Sequence, residues 1–307
     1  MLFTISAGRL LPTNEDIEKV VICAMGGSSL PADIVNNICY DKVQITICRH
    51  YDIPKWVDKS TLVFVASHSG NTEETLSALE QVKKVTKNIV ICTADGKLLE
   101  KAQQYNIPYF LMGEGQPRMM TNYFATYMLY VLYRYGLIED YRKQLLDLEE
   151  YLLNLSLDET ARDIVNEIGD KLPMIYASTQ FSSTARIWKI KFNENSKTQA
   201  FWYEFPELNH NEMVGFTNLR TDPIFLILKS NFDHPRIQKR MYIFEELLKD
   251  KASFVSIDIQ ADTIINHIFG TLLLGDWVSY YLAVSTEMDP TPVDMVENFK
   301  ELMKDEI

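Results

Sequence analysis

Residues 62–82 hold three different patterns in a row, and no other stretch constrains the fold of the chain as tightly. Leu62-Val63-Phe64-Val65-Ala66 is a short apolar run rich in β-branched residues, which reads as a buried strand. Ser67-His68-Ser69-Gly70-Asn71-Thr72 is small and polar. Leu76, Leu79 and Val82 then recur at helical spacing. Asn71 is placed to be the N-cap, with Glu74 three residues on as its capping-box partner. A buried strand therefore passes into a helix through a hydroxyl-rich turn. Backbone N–H groups converge at such a helix start, beside the positive end of its dipole, and an anion binds well there. Ser67, Ser69 and Thr72 add hydroxyl donors, and Gly70 lets the backbone come close. Neutral donors of this kind suit a phosphate monoester. A helix start capped by Ser and Thr, with no ligand, is the alternative that the residues alone leave open.

A second crossing of the same kind lies upstream. Lys19–Cys23 reads as a strand, and Met25-Gly26-Gly27-Ser28-Ser29 opens a helix to about Tyr40. Its glycines serve either a ligand or a tight turn. Strands at Val43–Cys48, Asn88–Thr93 and Ile107–Met112 alternate with a helix at Lys97–Tyr105, which implies a doubly wound parallel sheet. Both polar turns then face the carboxyl edge of the sheet, where open α/β sheets bind ligands. The loop Gly113–Arg118 follows the last strand, so Arg118 reaches the same edge, ahead of a Met119–Arg134 helix.

The 307 residues suffice for two domains, 1–150 and 151–307, with the amphipathic helix Leu137–Leu155 as linker. Residues 1–18 read as an entry segment. A second α/β rhythm follows: helices at Asp158–Gly169, Ser182–Asn193, Pro235–Lys249, Thr263–Thr286 and Val293–Lys304, with strands at Pro173–Ala177, Pro223–Leu228 and Ser253–Ile259. The shared rhythm suggests an internal duplication. The turn Ser178–Ser183, taken as the counterpart of the polar turn, has no glycine, so a single phosphate site is expected. A net charge of −12 argues against a nucleic-acid backbone or an anionic membrane as partner. Cys23, Cys39, Cys48 and Cys92 form no C-x-x-C pair and read as reduced cytoplasmic core residues. No apolar stretch of membrane-spanning length, no signal peptide and no metal-ligand spacing is expected.

In the second half Glu194, His210 and Lys300 stand out, although each taken alone reads most simply as a solvated or satisfied side chain. Together, several segments are more specific. Gly26-Gly27-Ser28-Ser29, Ser67-x-Ser69-Gly70-Asn71-Thr72-Glu73-Glu74-Thr75, Phe192-Asn193-Glu194-Asn195-Ser196-Lys197, Pro206-Glu207-Leu208-Asn209-His210-Asn211-Glu212, Leu274-Gly275-Asp276-Trp277 and Asp289-Pro290-Thr291-Pro292-Val293 occur in that order. Ser-x-Ser-Gly-Asn-Thr-x-Glu-Thr resembles the phosphosugar loop of sugar isomerase (SIS) domains. The whole set resembles the bifunctional phosphoglucose/phosphomannose isomerase family.

The resemblance implies an α/β fold of two SIS-type three-layer αβα domains, each with a mainly parallel sheet. The first would hold the phosphate loop and the second the catalytic glutamate and histidine. It implies a homodimer, no metal and no cofactor, and interconversion of glucose 6-phosphate or mannose 6-phosphate with fructose 6-phosphate. It further implies that Ser67, Ser69 and Thr72 hold the phosphate, with Gly26, Gly27 and Ser28 near the sugar. Glu194 would be the base for a cis-enediol step, and Arg118 would stabilise that intermediate. His210, reaching across from the neighbouring subunit, and Lys300 would open the ring, and Thr291 would leave room for C2–C3 rotation. His68, Ala24 and the glycine-poor Ser178–Ser183 turn depart from the family pattern. A non-catalytic phosphosugar-binding regulator and a glucose-specific isomerase are the alternatives.

Overall fold

Val20, Val21 and Ile22 are consecutive, and all three are fully buried. A strand apolar on both faces needs cover on both sides, which a parallel sheet between helix layers provides. The computed structural model describes residues 17–113 and 115–303, and this arrangement occurs in it twice. Most of the expected entry segment, Glu114 of the Gly113–Arg118 loop and Lys304 at the end of the last expected helix lie outside the described residues. The chain divides into two compact units, Met1–Asp147 and Leu148–Ile307, within a helix at Arg142–Asn154.

In the first unit, β1 (Lys19–Ala24), β2 (Ile45–Cys48), β3 (Thr61–Ser67), β4 (Ile89–Thr93) and β5 (Tyr109–Leu111) pair in parallel, in the order β2-β1-β3-β4-β5. Helices α1 (Leu30–Ile38), α2 (Glu73–Val82), α3 (Gly96–Gln104) and α4 (Thr121–Arg134) cover the sheet. On one face Val21, Val63, Val65, Ile89 and Ile91 pack with residues of α2 and α3. On the other, Phe110 stacks on Tyr127 of α4 at 4.4 Å and meets Phe124 edge-on.

The helix α5 (Arg142–Asn154) leads to α6 (Asp158–Ile168), β6 (Leu172–Ser178), α7 (Ser182–Glu194), β7 (Phe201–Phe205) and the short α8 (Glu212–Gly215). β8 (Pro223–Lys229), α9 (Pro235–Leu248), β9 (Ser253–Asp258), α10 (Ile264–Ser285) and α11 (Asp294–Leu302) complete the second unit. Its sheet is also parallel, in the order β7-β6-β8-β9. That is the first unit's order without the fifth strand, so β6 to β9 take the places of β1 to β4. One face is an aromatic cluster in which Tyr176, Phe205, Phe225 and Phe244 meet within 6.4 Å.

Two expectations need correction. The strand β7 was not expected, because its Phe-Trp-Tyr-Glu-Phe run is an edge strand with only Phe205 buried, and its apolar pattern is faint. The aromatic residues, good strand formers, were the signal. Second, α10 is long and apolar enough to cross a membrane by length and composition, with 61% of its apolar window buried in the protein. It is apolar all round because it is a core helix.

α10 fixes α7 along its length. Trp188 Nε1 donates to the Thr271 carbonyl at 2.9 Å, Lys191 pairs with Asp276, and Asn195 Nδ2 donates to Ser279 Oγ at 2.9 Å. Gly275 is required by this contact, since a Cβ there would lie 2.5 Å from Trp188 Nε1. Gly275→Ala is therefore expected to lower unfolding stability by about 1–3 kcal/mol through overpacking. Urea denaturation should show a lower midpoint with an unchanged slope.

Candidate active site

In the order β2-β1-β3-β4-β5, the chain leaves β1 toward one edge and later returns past it to β3. The crevice beyond the carboxyl ends of β1 and β3 is thus a topological switch point, the ligand site of open α/β sheets. The residues lining it are Gly26–Ser29, which form a single 3₁₀ turn, and Ser67–Thr72. The two turns are joined directly, because the His68 N–H donates to Ser28 Oγ at 2.9 Å.

The Ser67–Thr72 turn is shaped by the next crossing. Gly70 has φ +66°, and a Cβ on it would lie 1.7 Å from the Asp95 carbonyl oxygen. The Leu98 N–H donates to Gly70 O, and the Ala94 N–H donates to His68 O. Asn71 is not the N-cap of α2. Its Nδ2 donates to Ser69 O, and its Oδ1 accepts from the Lys97 N–H in the first turn of α3. Thr72 is the N-cap, with no side-chain cap bond, because its hydroxyl pairs with Ser67 Oγ at 2.9 Å. The first N–H groups of α2 have no partner within the helix.

Arg118 is brought to the same place. A Cβ on Gly27 would meet Arg118 N at 3.0 Å and Pro117 at 3.1 Å, so the Pro117–Arg118 turn lies against the Gly26–Ser29 turn. Arg118 is 4% exposed, with Nη1 donating to Gln116 Oε1 at 3.2 Å. Arg49, which the sequence did not single out, braces the Gly26–Ser29 turn. Its Nη2 pairs with Asp33 at 2.6 Å, and its Nε donates to Ser29 Oγ. His68 Nε2 is buried with no hydrogen-bond partner among the described residues.

In the second unit, Glu194 ends α7, which Lys191–Asp276 and Asn195–Ser279 hold in place on either side of it. Lys197 joins this end to the Asp289–Pro292 segment, with Nζ donating to the carbonyls of Glu194 at 2.9 Å and Asp289 at 2.6 Å. Thr291 sits in that segment, its N–H on Asp289 Oδ1 at 2.8 Å. The Glu207–Glu212 motif is spent largely on its own folding. Leu208 is buried, Arg240 donates to Asn209, Asn211 donates to Glu207, and Tyr176 donates to Glu212 at 2.7 Å. Burial raises the pKa of Glu212. His210 is exposed, and its side chain makes no hydrogen bond among the described residues. Lys300 lies on the exposed α11 with a local partner, Glu297, at 2.7 Å. Among the described residues no cluster of three or more His, Cys, Asp or Glu could hold a metal.

The structural counterpart of Ser67–Thr72 is not Ser178–Ser183, which follows β6 and matches the Gly26–Ser29 turn. It is Ser230–His234, between β8 and α9. There a carboxylate is built in: Asp233 is 5% exposed, its N–H donates to Ser230 O at 3.3 Å, and its Oδ2 is buried with no hydrogen-bond partner among the described residues.

The sequence is 34% identical over 304 residues to the bifunctional phosphoglucose/phosphomannose isomerase of Caldicellulosiruptor bescii, covering 93% of this chain and 89% of that protein. The enzyme of the same name from Aquifex aeolicus is 32% identical, with 94% of each chain covered. The chain belongs to the bifunctional phosphoglucose/phosphomannose isomerase family. Residues 157–303 also match the model described as the bacterial phospho-glucose isomerase C-terminal SIS domain. The fold of this family member is similar to the C-terminal domain of glucosamine-fructose-6-phosphate aminotransferase from Francisella tularensis. That likeness has a TM-score of 0.69 at 16% identity, covering 90% of this chain and 86% of that one.

Two outcomes are expected. Gly70→Ala forces a left-handed conformation and a backbone clash, so it should cost at least about 1–3 kcal/mol in a denaturation experiment. Asp233 tests the second unit. Burial raises its pKa from the usual 3.8 to about 6. Between those values the folded protein binds more protons than the unfolded chain, so stability falls as pH rises through that window. Above about pH 6 the ionised group is carried at a cost on the order of 3 kcal/mol. Asp233→Asn should therefore raise thermal stability at neutral pH, with the gain gone by about pH 4.

Proposed function

We propose that this protein interconverts glucose 6-phosphate and mannose 6-phosphate with fructose 6-phosphate. The observation that carries the reading is the pair of hydroxyl- and glycine-rich turns at the β1/β3 switch point, with Arg118 against them, in a member of this family. In this reading the region 1–150 is the phosphate-binding domain and 151–307 the catalytic one.

The phosphate is held by the hydroxyls of Ser67, Ser69 and Thr72 and by the N–H groups at the start of α2. Gly26, Gly27 and Ser28 lie beside the sugar. His210 moves a proton between the ring oxygen and the anomeric hydroxyl, helped by Lys300. Glu194 then takes the proton from C2 and returns it to C1, or the reverse, through a cis-enediol. Proton transfer by a positioned base is worth about 10²–10⁴ in rate. Negative charge gathers on the enediol oxygens, and the Arg118 guanidinium stabilises it. Glucose and mannose phosphates differ only at C2, so both pass through one enediol if the C2–C3 bond turns. Thr291 is small enough to allow that rotation. The working unit is a cytoplasmic homodimer in which His210 serves the neighbouring subunit, consistent with its exposed side chain.

The test is to incubate the protein with fructose 6-phosphate in D₂O with a chelator present and follow deuterium by NMR. Glucose 6-phosphate and mannose 6-phosphate, both deuterated at C2, are expected. Glucose 6-phosphate alone would establish the glucose-specific isomerase, and tight binding without exchange the non-catalytic regulator. Glu194→Gln should lower turnover by about 10²–10⁴ while leaving phosphosugar binding intact. Loss of binding in that variant would contradict its role as base.

A further inference from the structure

Two of the four cysteines are neighbours across a strand pair. Cys23 on β1 and Cys48 on β2 are partners in the parallel register. Both belong to the apolar cluster on the α2 and α3 side of the sheet. Their two thiols interact, which raises the pKa of Cys23 and lowers that of Cys48. Cys48 donates its own proton to the Asp52 carbonyl at 3.3 Å. Neighbouring strands lie about 4.8 Å apart, within the Cα separation of roughly 4.4–6.8 Å that disulfides span. In a parallel pair the two Cβ atoms also stay about a strand spacing apart, slightly more than a relaxed bridge prefers. One strand must therefore give, and β2 is able to. It is a four-residue edge strand whose first three residues are only half-buried.

We propose that Cys23 and Cys48 form a reversible disulfide site, oxidised by hydrogen peroxide. The Cys48 thiolate attacks one peroxide oxygen and the O–O bond breaks. A sulfenic acid forms, and the departing hydroxide takes up a proton to leave as water. The sulfur of Cys23 then attacks the sulfenic sulfur. The S–S bond forms, the S–O bond breaks, and the hydroxyl leaves with the Cys23 proton as a second water. Two thiols give up two electrons and the peroxide accepts them. A dithiol reductant reverses the change by exchange, readily so for a strained bridge.

The environment selects this pair among the four cysteines. Interaction with the Cys23 thiol, and then with the His50 backbone, lowers the pKa of Cys48, favouring the nucleophilic thiolate. Burial instead pushes Cys39 up to about 12 and raises Cys92 further. Cys48 is also the most accessible of the four. Arg49 follows Cys48 directly, and it braces Ser29, whose hydroxyl donates to Gly26 O at 2.9 Å. Drawing β2 inward shifts that brace and loosens the Gly26–Ser29 turn. This second step, and only this one, rests on the proposed function.

The full chain is treated with hydrogen peroxide, its remaining thiols are alkylated, and disulfides are mapped by mass spectrometry without reductant. A Cys23–Cys48 cross-linked peptide is expected, lost on adding dithiothreitol and absent in Cys48→Ser, with Cys39 and Cys92 still alkylated as thiols. Cys48 driven to sulfinic acid beside an alkylated Cys23 would overturn the site, as would both thiols staying reduced. These outcomes hold whether or not the protein turns over fructose 6-phosphate. Where it does, KM should rise in step with the cross-link and recover with reductant. A cross-link with unchanged KM would overturn the coupling to the Gly26–Ser29 turn.

Discussion

The contact on which the first unit's site depends is the one between Gly70 and the Asp95 carbonyl. It leaves no room for a Cβ, and the loop is held further by backbone bonds from Ala94 and Leu98 and by the Asn71 side chain on Lys97. The polar turn after β3 is thus shaped by the crossing after β4 and not by a ligand. The hydroxyls of Ser67 and Thr72 are already paired at 2.9 Å. A site organised before binding loses little ordering entropy when it binds. In the proposed reading, that rigidity would let a set of neutral donors hold a dianion in a protein whose net charge is −12.

The two units share a strand order but not this device. Where the first unit has Gly70-Asn71-Thr72 before α2, the second has Phe232-Asp233-His234 before α9. Asp233 brings its own buried carboxylate to the second switch point. An external phosphate would meet a buried carboxylate in place of free donors. The second unit instead puts its polar residues at the end of α7, where Lys197 joins Glu194 to the Asp289–Pro292 segment. The Lys191–Asp276 pair between α7 and α10, with its lysine buried, is better read as fixing geometry than as adding stability, since buried ion pairs often do little more than offset their desolvation.

The central strands were legible in the sequence because they are uninterrupted apolar runs. Leu62–Ala66 lies inside β3, and Lys19–Cys23 inside β1. What the sequence hid was determined by distant partners. Asn71 looked like a cap for α2, but its amide serves α3, which no local pattern announces. Arg49 sits in no motif, and its role follows from Asp33 and Ser29, which only the β1/β2 pairing brings near. Ser178–Ser183 resembled the counterpart of the phosphate turn because both follow a strand, and only the sheet order showed that Ser230–His234 takes that place. Of the residues marked for chemistry, Gly26, Gly27, Ser28, Ser67, Ser69, Thr72 and Arg118 come to one crevice. Glu194 and Thr291 are tied through Lys197 and Asp289. His210 and Lys300 stand at exposed positions, and the roles proposed for them rest on the family resemblance.

The proposed chemistry depends on where the phosphate of a bound sugar sits. The direct measurement is a crystal structure of the protein with fructose 6-phosphate. The phosphate oxygens should lie within hydrogen-bonding distance of Ser67, Ser69 and Thr72 and of the first N–H groups of α2. A phosphate held on Ser178–Ser183 or beside Asp233, with the Ser67–Thr72 turn empty, would contradict it.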